Sequence, residues 1–151
     1  MKITLKNVYL VPSINLLQKM SLKGQDTLAR SKFVKLLKKS LDDLAEAEQE
    51  LVNEYGARKD NSLPVSDDNP LITKPDGNAE IQPSKKLEFN KVHADLLSQE
   101  AEIQGGTYVN HIDDIKRILK EYGDKTELSN ADAEAYLELT EAFSNATKED
   151  K

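Results

Sequence analysis

A chain of 151 residues without cysteine excludes disulfides, thiolate metal sites and thiol nucleophiles together, and its length fits one domain with a shared core. Tryptophan is absent and only three Phe and five Tyr are present, so the core must come from Leu, Ile, Val and Ala, which suits a helical bundle better than a deep aromatic-lined pocket. The formal charge of −6 hides an asymmetry: residues 1–40 carry nine Lys or Arg against the single Asp26, a net +8, which leaves −14 for the rest.

Lys2 to Lys6 alternates charged and apolar residues, the period of a half-buried strand. Leu10, Ile14, Leu16, Leu17 and Met20 then recur at spacings of three and four, which predicts a helix that starts at Pro12, or earlier with a bend there, and ends near Gly24. Asp26 or Thr27 is placed to cap the next helix, whose stripe Phe33, Leu37, Leu41, Leu44, Leu51 and Tyr55 persists for about eight turns until Gly56, where a left-handed C-terminal residue is expected. The polar side of this long helix passes from Arg30, Lys32, Lys35, Lys38 and Lys39 to Asp42, Asp43, Glu46, Glu48, Glu50 and Glu54, an order that opposes the helix macrodipole.

Residues 57–84 hold four of the five prolines and read as a long loop or protruding feature, with a small hairpin turning at Pro75-Asp76-Gly77-Asn78. Ser84 is expected to cap a helix to about Glu100, with Leu87, Val92, Leu96 and Leu97 on its apolar side, as the antiparallel mate of the long helix. Ala101 to Gln104 looks extended and Gly105-Gly106 breaks it before Thr107-Tyr108-Val109, so one of these pieces should pair with the amino-terminal strand. Asn110 caps a helix carrying Ile112, Ile115, Leu119 and Tyr122 that closes at Gly123. Ser129 and Asp132 resemble a capping box ahead of a last helix carrying Ala133, Tyr136, Leu137, Thr140 and Phe143. The predicted class is α+β, mostly α: an antiparallel helical hairpin with additional C-terminal helices and a small sheet formed with the N-terminal strand. One domain spans 1–147, and 148–151 form a frayed tail.

Chemistry is sparse. The two histidines, His93 and His111, read as surface imidazoles, and a metal site would need carboxylates for its other ligands. No serine sits in a Gly-x-Ser-x-Gly elbow. Gly105-Gly106 lacks the remainder of a phosphate loop, and Asn145-Ala146-Thr147 matches a glycosylation acceptor in a chain expected to stay in the cytoplasm. That expectation rests on the opening Met1-Lys2-Ile3-Thr4-Leu5-Lys6, which lacks the apolar run of a signal peptide, and on the lack of any run near the ~20 apolar residues that cross a bilayer. The sequence therefore predicts a non-enzymatic chain with no cofactor, no bound metal and no membrane partner.

The basic stretch is the one feature that invites a partner. Its asymmetry reads as a surface for a polyanion or as internal pairing of a basic helix with acidic neighbours, and packing within one domain favours the second. On a helix Lys32, Lys35 and Lys39 fall near one line, and with Lys23 and Arg30 they form the candidate partner-binding set. Nucleic acid is the weaker prospect, because no aromatic residues interleave to stack bases.

The opening Lys2-Ile3-Thr4-Leu5-Lys6-Asn7, the turn Leu22-Lys23-Gly24, the junction Glu102-Ile103-Gln104-Gly105-Gly106-Thr107-Tyr108 and the closing Ala135-Tyr136-Leu137-Glu138-Leu139-Thr140-Glu141-Ala142-Phe143 together resemble a family of small proteins of unknown function. That family occurs in tailed bacteriophages and prophages of Gram-positive bacteria. The resemblance spans nearly the whole chain and brings no active-site residues. It implies a phage protein acting in the host cytoplasm, and three roles follow: a host-directed binding protein that inhibits a defence or regulatory complex, a tail or neck component of the virion, or a nucleic-acid binder through the basic N-terminal region. The first is favoured.

Overall fold

The computed structural model describes residues 3–103 and 112–149. The chain divides into two compact units, one formed by residues up to Asp42 with those from Ser98 onward, the other by Asp43–Leu97. Five α-helices and one two-stranded antiparallel sheet are present among the described residues, so the fold is α+β and mostly α.

In the first unit, strand β1 (Ile3–Lys6) pairs antiparallel with β2 (Glu100–Ile103), in a register that sets Ile3 opposite Ile103 and Lys6 opposite Glu100. The alternation of β1 explains the pairing: Ile3 and Leu5 are buried, while Lys6 is exposed and meets an opposite charge across the ladder. Of the two extended pieces that the sequence offers to β1, the earlier one is used, and Gln104 to His111, with the glycine pair and the Asn110 cap, lie outside the described residues.

A 3-10 turn (Asn7–Tyr9) leads into α1 (Leu10–Lys19). Pro12 falls in its first turn, where backbone N–H groups have no intrahelical acceptor, so the earlier of the two predicted starts costs no hydrogen bond. The helix stops at Lys19 rather than near Gly24, because Met20 turns extended and Gly24, at φ +55°, makes the turn into α2 (Gln25–Tyr55). The carbonyl of Gly24 accepts from Leu28 N–H at 3.3 Å, so Gly24 takes the capping position predicted for Asp26 or Thr27, and Asp26 lies within the first turn.

Helix α4 (Ile112–Lys125) buries Ile115, Ile118 and Leu119, and α5 (Asn130–Glu149) buries Ala135, Leu139, Ala142, Phe143 and Ala146. Two sequence expectations change here. Gly123 does not end α4: a side chain at that position would collide with the ring of Tyr136, so glycine is there for close packing. The buried face of α5 is rotated from the predicted one, leaving Leu137 54% exposed and Thr140 at the surface. The Phe33 ring meets Phe143 at 5.1 Å between centroids and joins the start of α2 to α5, with Leu10, Leu16, Leu17 and Leu37 completing a core that excludes water.

In the second unit, the remainder of α2 runs antiparallel to α3 (Lys86–Ser98): Tyr55 reaches Glu88 and Phe89, and Glu48 reaches His93. This is the predicted helical hairpin. Its details differ, because Ser84 sits inside a 3-10 turn (Pro83–Lys85) rather than at a cap, and Leu87 is 86% exposed. The inward face of α3 is half-buried and consists of Phe89, Val92, His93, Leu96 and Leu97. Gly56 does not adopt a left-handed conformation; an added Cβ there would strike the Val52 carbonyl and lie 2.5 Å from a methyl of Leu71, so close approach of the backbone dictates glycine. The C-terminal carbonyl of Asn53 is instead satisfied by Arg58.

The segment after α2 is laced by polar side chains. Its predicted hairpin forms, with Gly77 at φ +90°, its N–H bonded to the Lys74 carbonyl at 2.9 Å, and Thr73 bridged to Ala79. Buried Gln82 donates to the Gly56 carbonyl at 3.1 Å. Buried Asn69 donates to the carbonyls of Asp60, Leu63 and Pro64, at 2.9, 3.3 and 3.1 Å, and accepts from Asp60 N–H at 2.8 Å. Asn69→Ala should cost about 1–3 kcal/mol and speed proteolysis and amide exchange around residues 60–69 while helical circular dichroism persists. Unchanged protection of the Asp60 amide would show that Asn69 does not hold this loop.

Candidate functional site

The basic stretch is built where α1 ends and α2 begins. The last carbonyls of α1 lack the donor four residues on: Leu17 accepts from Met20 N–H at 3.3 Å, and Arg30, one turn into α2, adds a second donor, its Nη1 donating to the carbonyls of Leu17 and Met20, both at 2.9 Å. A guanidinium at a helix C-terminus also meets the negative end of that helix's dipole. Arg30, chosen from sequence as a partner-binding residue, thus first fastens the two helices together.

Beside this fastening lies an open groove of about 380 Å³ lined by Gln18 of α1 and by Arg30, Ser31, Val34, Lys35 and Lys38 of α2. The α2 residues occur three and four apart, so they share one side of the helix, with buried Val34 as floor and exposed Lys35 and Lys38 as rim. Neither lysine has an ion pair among the described residues. Of the other candidates, Lys23 is exposed just ahead of the Gly24 turn, Lys32 is half-buried and already engaged, and Lys39 is exposed on the adjoining side of α2. The structure therefore unites Arg30 and Lys35 of the predicted set, adds Lys38 and Gln18, and leaves Lys23, Lys32 and Lys39 outside the groove lining. The spacing Ser31, Val34, Lys35, Lys38 is visible in the sequence; the apposition of Gln18 depends on the Arg30 contact, which it does not display.

Internal pairing takes a share of the charge. Lys19 Nζ bonds both carboxylate oxygens of Asp132, at 3.0 and 2.8 Å. Asp26 binds Arg117 of α4 through two hydrogen bonds, at 3.2 and 2.5 Å, while Arg117 also faces Glu121 at 3.4 Å and Asp114 at 3.7 Å. The hydrogen bond from Arg117 holds the Asp26 carboxyl below its ordinary value of 3.8, and the carboxylates in turn raise the guanidinium of Arg117. Lys35 and Lys38 make no such ion pair among the described residues, and the next acids along α2, Asp42 and Asp43, are exposed.

His93 is not a solitary surface imidazole: its Nε2 lies 2.7 Å from Glu48 Oε2 and its ring stacks on Phe89 at 5.5 Å. The partner stands on the facing helix rather than at the sequence neighbours Asp95 or Glu100. His111 lies outside the described residues. Among the described residues, no group of three or more His, Asp or Glu could hold a metal ion, and no helix is long and apolar enough to cross a membrane.

The chain belongs to a family of proteins of unknown function, DUF1617, whose model matches residues 1–149. No curated protein and no solved structure matches it significantly.

Because Asp26 is depressed in the folded chain, its pairing contributes stability above its unfolded value and loses that contribution as pH falls through the lower, folded value. Thermal melts of the native chain should therefore drop more steeply than those of Asp26→Asn between about pH 5 and pH 2.5. Parallel curves would show that the Asp26–Arg117 pair contributes nothing to folding.

Proposed function

We propose that this chain, as a member of that family, is a non-enzymatic accessory protein of a tailed phage or prophage that acts by binding another protein, and that the groove between α1 and α2 grips an acidic segment of that partner. The host-directed role follows from the same reading: the partner belongs to a defence or regulatory complex in the host cytoplasm, which binding inhibits. The phage setting rests on the sequence resemblance described above.

One observation supports the groove. Arg30, Lys35 and Lys38 line it, and among the described residues the two lysines lack the ion pairs that occupy Lys19 and Arg117. Cations left unpaired at the basic start of a helix oppose its dipole, at some tenths of a kcal/mol each, and an acidic partner offsets that cost. A protein segment suits the groove better than a nucleic acid. No aromatic residue lines it to stack a base, and the chain as a whole carries −6.

Comparative capture tests the proposal. The tagged native chain and a Lys35→Glu, Lys38→Glu variant are each incubated with host extract treated with nuclease. A protein retained by the first, lost from the second, and released as salt rises supports the groove; both substitutions are at exposed positions and should leave helical circular dichroism unchanged. Equal retention by both chains would refute the role of the groove. Salt-sensitive binding of duplex or single-stranded DNA in a mobility-shift assay, abolished by the same variant, would replace the protein partner with a nucleic acid.

A further inference from the structure

A second concavity lies in the first unit between α4 and α5, where Lys116, Leu119, Lys120, Tyr136, Thr140, Phe143 and Ser144 enclose about 300 Å³. Its chemistry differs from that of the basic groove. Leu119 and Phe143 are almost fully buried and form an apolar floor, and the Tyr136 ring forms a wall. Tyr136 packs closely on Gly123, where a Cβ would meet its ring and hydroxyl.

The rim is polar and of one sign. Lys116, Lys120, Thr140 and Ser144 supply the polar side chains of the lining, and no carboxylate lines it. Lys120 is exposed and has no ion pair among the described residues, so its ammonium is available to a ligand. A mostly apolar recess with a few convergent polar groups is the usual form of a small-molecule site, and this volume is at the lower end for such sites.

We propose that this crevice binds a small amphiphilic anion, an aromatic or short acyl group bearing a carboxylate or sulfonate, with the apolar body against Leu119 and Phe143 and the anionic head at Lys120. The site is independent of the α1–α2 groove and of the partner assigned to it.

The test uses the full chain with two dyes of similar apolar body, the anionic 1-anilinonaphthalene-8-sulfonate and the uncharged N-phenyl-1-naphthylamine. The native chain should raise the emission of the anionic dye saturably. Thr140→Phe with Ser144→Phe, at two exposed positions, fills the crevice and should abolish that rise while circular dichroism is retained. Lys120→Glu should weaken the anionic dye about threefold or more, the scale of one exposed ionic contact, and leave the neutral dye unchanged. No saturable rise with the native chain, persistence of the rise in the filled variant, or equal loss of both dyes in Lys120→Glu would each overturn the proposal.

Discussion

The grip of Arg30 on the carboxy-terminal carbonyls of α1 is the contact on which the first unit's surface depends. An α-helix that ends on an extended residue, as α1 does at Met20, leaves its last carbonyls under-supplied with donors, here with Met20 N–H on Leu17 alone, and such groups need partners wherever water is excluded. By supplying both bonds from one nitrogen, Arg30 closes α1 and sets the face of α2 beside it. The groove with Lys35 and Lys38 on its rim is a consequence of that closure. Phe33, one turn further on, turns the opposite side of α2 into the core against Phe143, so a single stretch of helix serves both solvent and interior.

The two units are held by different physics. The first has a core of Leu, Ile and Phe side chains that are almost completely buried. In the second, only Leu44, Tyr55 and Ala57 are buried apolar residues, no residue of α3 is buried, and much of the order comes from polar side chains on backbone groups: Asn69, Gln82 and Arg58. Such bonds contribute modestly when made and cost more when broken in a buried place. This unit is therefore specified by satisfied polar groups more than by apolar volume.

The sequence was most legible where a periodic stripe faced a single neighbour. β1, the full length of α2 and the pairing of α2 with α3 follow from alternation or from recurrence at three and four residues, and so does the α+β class. It was least legible at glycines and helix ends. Gly56 and Gly123 look like helix terminators in one dimension, yet what they share is contact with Leu71 and Tyr136, residues far enough along the chain that only the fold brings them close. The α5 stripe is ambiguous in the sequence because Tyr136, Leu137 and Thr140 are as periodic as the face that is buried, and the choice between them is made by α1, β1 and α4, not by α5. The candidate lysines show the same division: their spacing places Lys35 and Lys38 on one side of α2, while the engagement of Arg30 and Lys32 is a matter of tertiary contact.

The pairing of β1 with β2 joins residues nearly a hundred positions apart, whereas Asp43–Leu97 forms a compact unit from one unbroken stretch. During synthesis the contiguous stretch has all its contacts available first, and the residues before it must wait for Glu100–Ile103 and then for Phe143 to leave the ribosome. Until then Ile3 and Leu5 lack the β2 ladder and Phe33 lacks the Phe143 ring, so the nascent chain passes through an interval in which part of its apolar core is open to chaperones and Lys19 has not met Asp132.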